Sequence, residues 1–269
     1  MRCFVSRTVT DAELVSDIKE LIPDAGLRRR MSRVLKMSVA TAVEAAGGTE
    51  GIASADAVIT ATGLGCLADS ERFLRNMIAD GEQMLNPTPF IQSTFNTAGG
   101  QIALLGGNHC YNVTYVNRSH GFEDALLDAM MRIADGESRR VLLGAFDERT
   151  PSQHRIMERM GLYRHAECGE GAVFMVLTDA PAADSEAAVV RIDFPERSLS
   201  ESECRAKYAS VEDAAVIVNR GDRFGLFPTA SAQAFAAGVR LIREGAREAV
   251  IYNEYLGGKP AVAVLGCIG

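Results

Sequence analysis

Short, β-branched apolar runs alternate along this chain with stretches whose apolar residues recur every three to four positions, which is the pattern of an α/β protein. Ala57-Val58-Ile59-Thr60-Ala61-Thr62, Arg140-Val141-Leu142-Leu143-Gly144-Ala145-Phe146 and Gly171-Ala172-Val173-Phe174-Met175-Val176-Leu177 each predict a strand covered on both faces. Tyr111-Asn112-Val113-Thr114-Tyr115-Val116 alternates more and suits a sheet edge. Residues 34–46, 69–78, 93–105 and 119–134 predict helices. In the last of these, Phe122, Ala125, Leu126, Ala129 and Ile133 share one face, and Glu123, Asp124, Asp128 and Arg132 take the other. Asn86-Pro87-Thr88-Pro89 predicts a turn or extended stretch, because a residue before proline avoids the helical region.

The small, polar stretch Ala180-Pro181-Ala182-Ala183-Asp184-Ser185-Glu186 reads as a linker. It divides a first half, residues 1–180, from a second half, residues 187–269, of about half the size. Beyond it come strands at 189–194, 215–219, 249–252 and 261–265, with a helix at 231–243. No short-period repeat is visible.

Composition narrows the class. The 269 residues are 47% hydrophobic and 23% charged, ordinary for a globular protein, and the net charge of −7 argues against a nucleic-acid binder. The basic run Arg28-Arg29-Arg30 and Arg33 leads into a helix and reads as its solvated entrance. No window is apolar enough for a membrane span, and the N-terminus lacks a signal-peptide core. The six cysteines are scattered without a Cys-x-x-Cys pair, as in a reduced, cytoplasmic protein. His165, Glu167 and Cys168 are too few for a metal site. The glycines at 63–65 and 257–258 lack the residues of a phosphate loop, so neither metal nor cofactor is expected.

Four segments together resemble the β-ketoacyl-acyl-carrier-protein synthases. These are Ala57 through Gly65, the stretch from Asn86 to Asn96 with Gly99-Gly100-Gln101-Ile102-Ala103, the stretch from Tyr111 to Leu126, and Gly169-Glu170-Gly171-Ala172. Their order and spacing match across residues 30–180, and the likeness extends to the short synthase-like proteins of aryl-polyene and flexirubin pathways. The resemblance implies a thiolase-like fold of two fused α/β halves with mixed sheets, the second half abbreviated.

That family's condensing chemistry needs a thiolate at a helix N-terminus and histidine or asparagine donors for the developing enolate. Matched along Thr114-Tyr115-Val116-Asn117-Arg118-Ser119, the nucleophile position falls on Ser119, with His120 beside it. Neighbouring helical residues point about 100° apart, so Ser119 and His120 do not naturally form a nucleophile–base pair. Ser119 reads instead as a helix N-cap. The second-half loops matching the family's donors, Leu226-Phe227-Pro228-Thr229 and Asn253 to Gly258, contain no histidine.

The resemblance therefore implies a degenerate subunit of the chain-length-factor type, paired with an active β-ketoacyl synthase and working with an acyl carrier protein in a type II fatty-acid or polyketide pathway. Two alternatives stand beside it: a stand-alone condensing or acyl-transfer enzyme using Ser119, and a scaffold that binds acyl carrier protein. The family's dimer geometry implies a homo- or heterodimer through Thr94, Asn96, Gly99, Gly100, Tyr111, Val113, Thr114 and Tyr115.

Overall fold

The computed structural model describes residues 2–164 and 166–268. The first half runs β1 (Cys3–Thr10), α1 (Ile18–Leu21), α2 (Ala25–Arg30), α3 (Arg33–Ala46), α4 (Thr49–Ala53), β2 (Ala57–Thr62), α5 (Leu67–Ala79), α6 (Pro87–Gln92), α7 (Thr97–Gly106), β3 (Tyr111–Val116), α8 (Gly121–Ala134), β4 (Arg140–Asp147), α9 (Pro151–Arg159) and β5 (Gly171–Thr178). The second runs β6 (Ala187–Asp193), α10 (Glu201–Tyr208), β7 (Ala215–Asn219), α11 (Ala230–Arg243), β8 (Glu248–Asn253) and β9 (Ala261–Gly266). Among the described residues no helix is long and apolar enough to cross a membrane.

The nine strands of the described residues join in the order β3-β2-β4-β5-β1-β6-β9-β8-β7. The two halves repeat one another. β1-β5-β4-β2 pair antiparallel, antiparallel and parallel, and β6-β9-β8-β7 do the same. Even the bulges correspond: register shifts between Val5 and Arg7 in β1 and between Val189 and Arg191 in β6. The duplication is one of topology, which a scan for sequence periodicity does not detect. Among the described residues β3 has no counterpart in the second half, which is the abbreviation.

The pleat distributes the core. Val141, Leu143 and Ala145 of β4 join a central cluster with α8 and α11, whereas Leu142 and Phe146 pack on the opposite side with α3 and α7. In the second half, Ala249 and Ile251 face that centre, while Val250 and Tyr252 turn toward α10. The layers thus alternate: outer helices, half-sheet, central helices, half-sheet, outer helix. Gly144 is dictated by this packing, since a Cβ there would lie 2.1 Å from the Phe174 ring.

Two stretches differ from the sequence expectation. Residues 87–92 form a helix instead of a turn, because Asn86 accepts from the Thr88 amide as N-cap and Pro87 suits the first helical position. The helix expected over 93–105 begins only at Thr97.

Candidate active-site region

The carboxyl ends of β2 and β4, the β3–α8 turn, the start of α11 and the β8–β9 loop meet at one end of the molecule. The two halves approach closely there. A Cβ on Gly63 would lie 2.2 Å from Pro228, so only glycine lets the β2 end pass. Asp147, wholly buried at the end of β4, ties the β2 end to the start of α11. It accepts from Thr62 Oγ1 at 2.9 Å, from the Gly63 and Leu64 amides at 3.1 and 2.8 Å, and from Thr229 Oγ1 at 2.9 Å. Burial raises its pKa to about 6 against the pull of those donors, amides foremost.

A second buried carboxylate lies beneath the β3–α8 turn. Sequence periodicity assigned Glu123 to the polar face of α8, yet it is buried, with Ser231 Oγ donating to it at 3.2 Å. The reason is α11: it covers this side of α8 and supplies the hydroxyl, a partner 108 residues distant in sequence. Burial pushes the Glu123 carboxyl up to about 7, opposed by Ser231 and Asn253.

Ser119 does not cap α8. The N-cap position is His120, which makes no side-chain cap bond. The Ser119 amide is taken by Asn117 Oδ1 at 2.8 Å, and Ser119 Oγ donates to the Lys259 carbonyl at 3.0 Å. Asn253 Nδ2 in turn donates to the Ser119 carbonyl at 3.1 Å. A Cβ on Gly258 would sit 2.4 Å from Ser119 Oγ, so that glycine admits the contact. The second half therefore holds this serine by a contact no local pattern reveals. Ser119→Ala should accordingly cost about 1 kcal/mol, the value of one such bond, read as a lower urea midpoint at unchanged slope.

His120 is engaged elsewhere: Nδ1 lies 3.0 Å from Asp124 Oδ1, and its ring meets Phe194 edge-on at 5.2 Å. Ser119 and His120 are adjacent without being hydrogen-bonded partners. His154 stacks on Tyr163 at 5.0 Å on the α9 side, and His109 is exposed before β3. Cys110 is exposed in the same loop, and the half-buried Cys168 accepts from the Tyr163 hydroxyl at 2.9 Å. His165 lies outside the described residues, among which no three potential ligands cluster.

Beside the turn opens a cavity of about 410 Å³. Leu64 and Leu67 line it from the β2–α5 side, Met157 from α9 and Met160 from just past its end, and Pro228, Tyr255 and Leu256 from the second half. Arg118, not Ser119, borders it from the turn. The sequence offered one signal for this wall: the apolar Leu64, Met157 and Met160 at positions without a strand or helix core to explain them.

The interface residues proposed from sequence lie together. β3 is the terminal strand of the sheet, hydrogen-bonded to β2 alone. Thr114 Oγ1 meets Thr60 Oγ1 at 2.8 Å, and Asn112 Nδ2 donates to the Gly99 carbonyl at 3.0 Å, which fixes α7 across the strand. Val113 and Tyr115 pack toward the central layer. Thr94, Asn96 and Gly100 lie at the start of α7 and in the turn before it.

The family model for the β-ketoacyl synthase N-terminal domain matches residues 11–217. Among solved structures, the chain is similar to the ishigamide ketosynthase/chain length factor, at TM-score 0.75 and 17% identity over 100% of both chains. It is also similar to a type II polyketide acyl-carrier protein–ketosynthase complex bound to the hexaketide, at 0.81 and 14% over 99% of both. A ketosynthase in complex with its chain length factor from Xenorhabdus doucetiae follows, at 0.64 and 14% over 99% of both. At these identities the likeness is one of fold, thiolase-like over the whole chain. No curated protein sequence matches significantly.

Proposed function

The chain belongs to the β-ketoacyl synthase family, and from that membership we propose that it is a catalytically degenerate subunit of the chain-length-factor type. It completes a dimer with an active synthase that elongates chains on an acyl carrier protein, in a type II fatty-acid or polyketide pathway. The observation that carries this reading is the β3–α8 turn. Where the family places its nucleophilic thiol, this chain has a serine whose hydroxyl donates to the Lys259 carbonyl. A hydroxyl held this way has no base to take its proton. His120, the nearest imidazole in sequence, faces Asp124 instead.

Pairing through β3 and α7 is the second element of the proposal. An edge strand presents unpaired backbone groups that a partner strand satisfies; of the residues expected there from sequence, Thr94, Asn96, Gly100 and Tyr111 are exposed, Val113, Thr114 and Tyr115 are half-buried, and Gly99 is buried within the chain and faces inward. A homodimer forms when the synthase is absent.

Co-expression with a synthase encoded nearby tests the reading. We expect a heterodimer by light scattering, and no acyl adduct on Ser119 when the chain alone meets malonyl or acyl thioesters. A stable Ser119 adduct would establish the stand-alone enzyme instead. Capture of acyl carrier protein without any synthase partner would establish a scaffold.

A further inference from the structure

We infer that this chain contributes a wall to the active site of the synthase it pairs with: its segment Asn108-His109-Cys110 lies against the turn that follows the partner's own edge strand. The inference rests on the pairing proposed above and adds which side chains that pairing carries across to the partner.

The segment is built to project. Asn108 is buried, and its Nδ2 donates to the carbonyls of Ile52 at 2.8 Å and Ala55 at 2.7 Å, while its Oδ1 accepts from the Cys110 amide at 2.9 Å. Gly107, at a φ of 62°, caps α7 and turns the chain toward β3. Between this anchor and the terminal strand, His109 and Cys110 are exposed. Among the described residues neither side chain takes part in a hydrogen bond or an ion pair. An imidazole and a thiol held on a fixed loop, without a partner in their own chain, are free to meet another.

Symmetry decides what they meet. The proposed face includes both β3 and α7, so the partner's counterpart of α7 must lie on the same side of the sheet as α7 itself. Only a two-fold axis normal to the sheet does that, and it sets the two edge strands antiparallel. With all six residues of β3 paired, Tyr111 faces the last residue of the partner's strand and Val116 the first. The residues just before β3 then run beside those just after the partner's strand, about 5 Å away across the ladder. In an active synthase that turn carries the nucleophilic thiol, by the same family match that places Ser119 there in this chain. His109 and Cys110 therefore stand next to the partner's reacting group. They are a strand's length, about 20 Å, from this chain's own Ser119.

The purified heterodimer tests this with bismaleimidoethane, in which each of two maleimide double bonds adds one thiol. It should join Cys110 to the synthase nucleophile, giving a covalent pair of this chain and the synthase. Cys110→Ser, or prior alkylation of the synthase nucleophile by iodoacetamide, should abolish that species. Cys267→Ser, which removes the other exposed thiol, should not. His109→Glu should slow iodoacetamide alkylation of the synthase nucleophile about tenfold, because a nearby carboxylate disfavours the thiolate; His109→Gln should leave the rate unchanged. A heterodimer that gives no Cys110-dependent cross-link, or an alkylation rate unmoved by His109→Glu, would overturn the assignment and leave the pairing standing. Failure to form a heterodimer at all would overturn the pairing, and this inference with it.

Discussion

Gly100→Arg is expected to leave the chain folded while abolishing its pairing with a synthase. Gly100 sits inside α7, where glycine costs about 1 kcal/mol relative to alanine. Its neighbours have reasons to be glycine: a Cβ on Gly99 would lie 3.0 Å from Asn112 Oδ1, and one on Gly106 would lie 2.5 Å from Ile52. Around Gly100 nothing lies within 4 Å. Leu104, one turn on, is 72% exposed. A glycine with free space above it, beside an uncovered leucine, fits a surface that another helix approaches. Arginine there should raise the stability of the isolated chain by roughly 0.5–1 kcal/mol. In the dimer it places a bulky, unpaired charge at the contact, costing about 4 kcal/mol or more, roughly a thousandfold in Kd. Light scattering of the co-expressed pair decides it. An intact heterodimer would remove α7 from the interface.

Glu123→Gln is expected to stabilise the chain at pH 8 by about 3 kcal/mol and to change little at pH 4. The folded-state pKa of about 7 lies above that of an ordinary glutamate, at 4.5. Between those values the folded chain holds a proton that the unfolded chain releases, so stability falls as pH rises through this window. At 1.36 kcal/mol per unit, the difference amounts to about 3 kcal/mol. Glutamine keeps an acceptor for Ser231 without ever ionising. Urea midpoints of both proteins from pH 4 to 8 should diverge steadily, and parallel curves would sink the idea. Asp147 titrates in the same sense at about pH 6, which is why the comparison between variants isolates Glu123.

Local pattern was enough to locate β2, β3, β4 and β5, since runs such as Val141-Leu142-Leu143 can be buried in few other ways. It read less well where a helix depends on its cap. α6 follows from Asn86 and Pro87, and α10 from the reciprocal bonds of Ser200 and Glu203, both weak signals against the polar character of those stretches. In the sequence the proposed site showed only as Ser119 at the position matched to the family's thiol and as second-half loops without histidine. What holds it is long-range: Asp147 to Thr229, Glu123 to Ser231 and Ser119 to Lys259 join residues 82, 108 and 140 positions apart. No periodicity encodes such partners, and burial of Glu123 contradicts the helical pattern that places it in solvent.

The sheet terminates in two unlike strands, β3 at one side and β7 at the other. Were both able to recruit a neighbour, copies would add head to tail and the assembly would grow into an open fibre. β7 has five residues, the shortest strand among the described residues, and short edges resist recruitment. With no fifth strand among the described residues of the second half, the proposed pairing through β3 would leave the molecule one-sided, so that the assembly would close after a single addition.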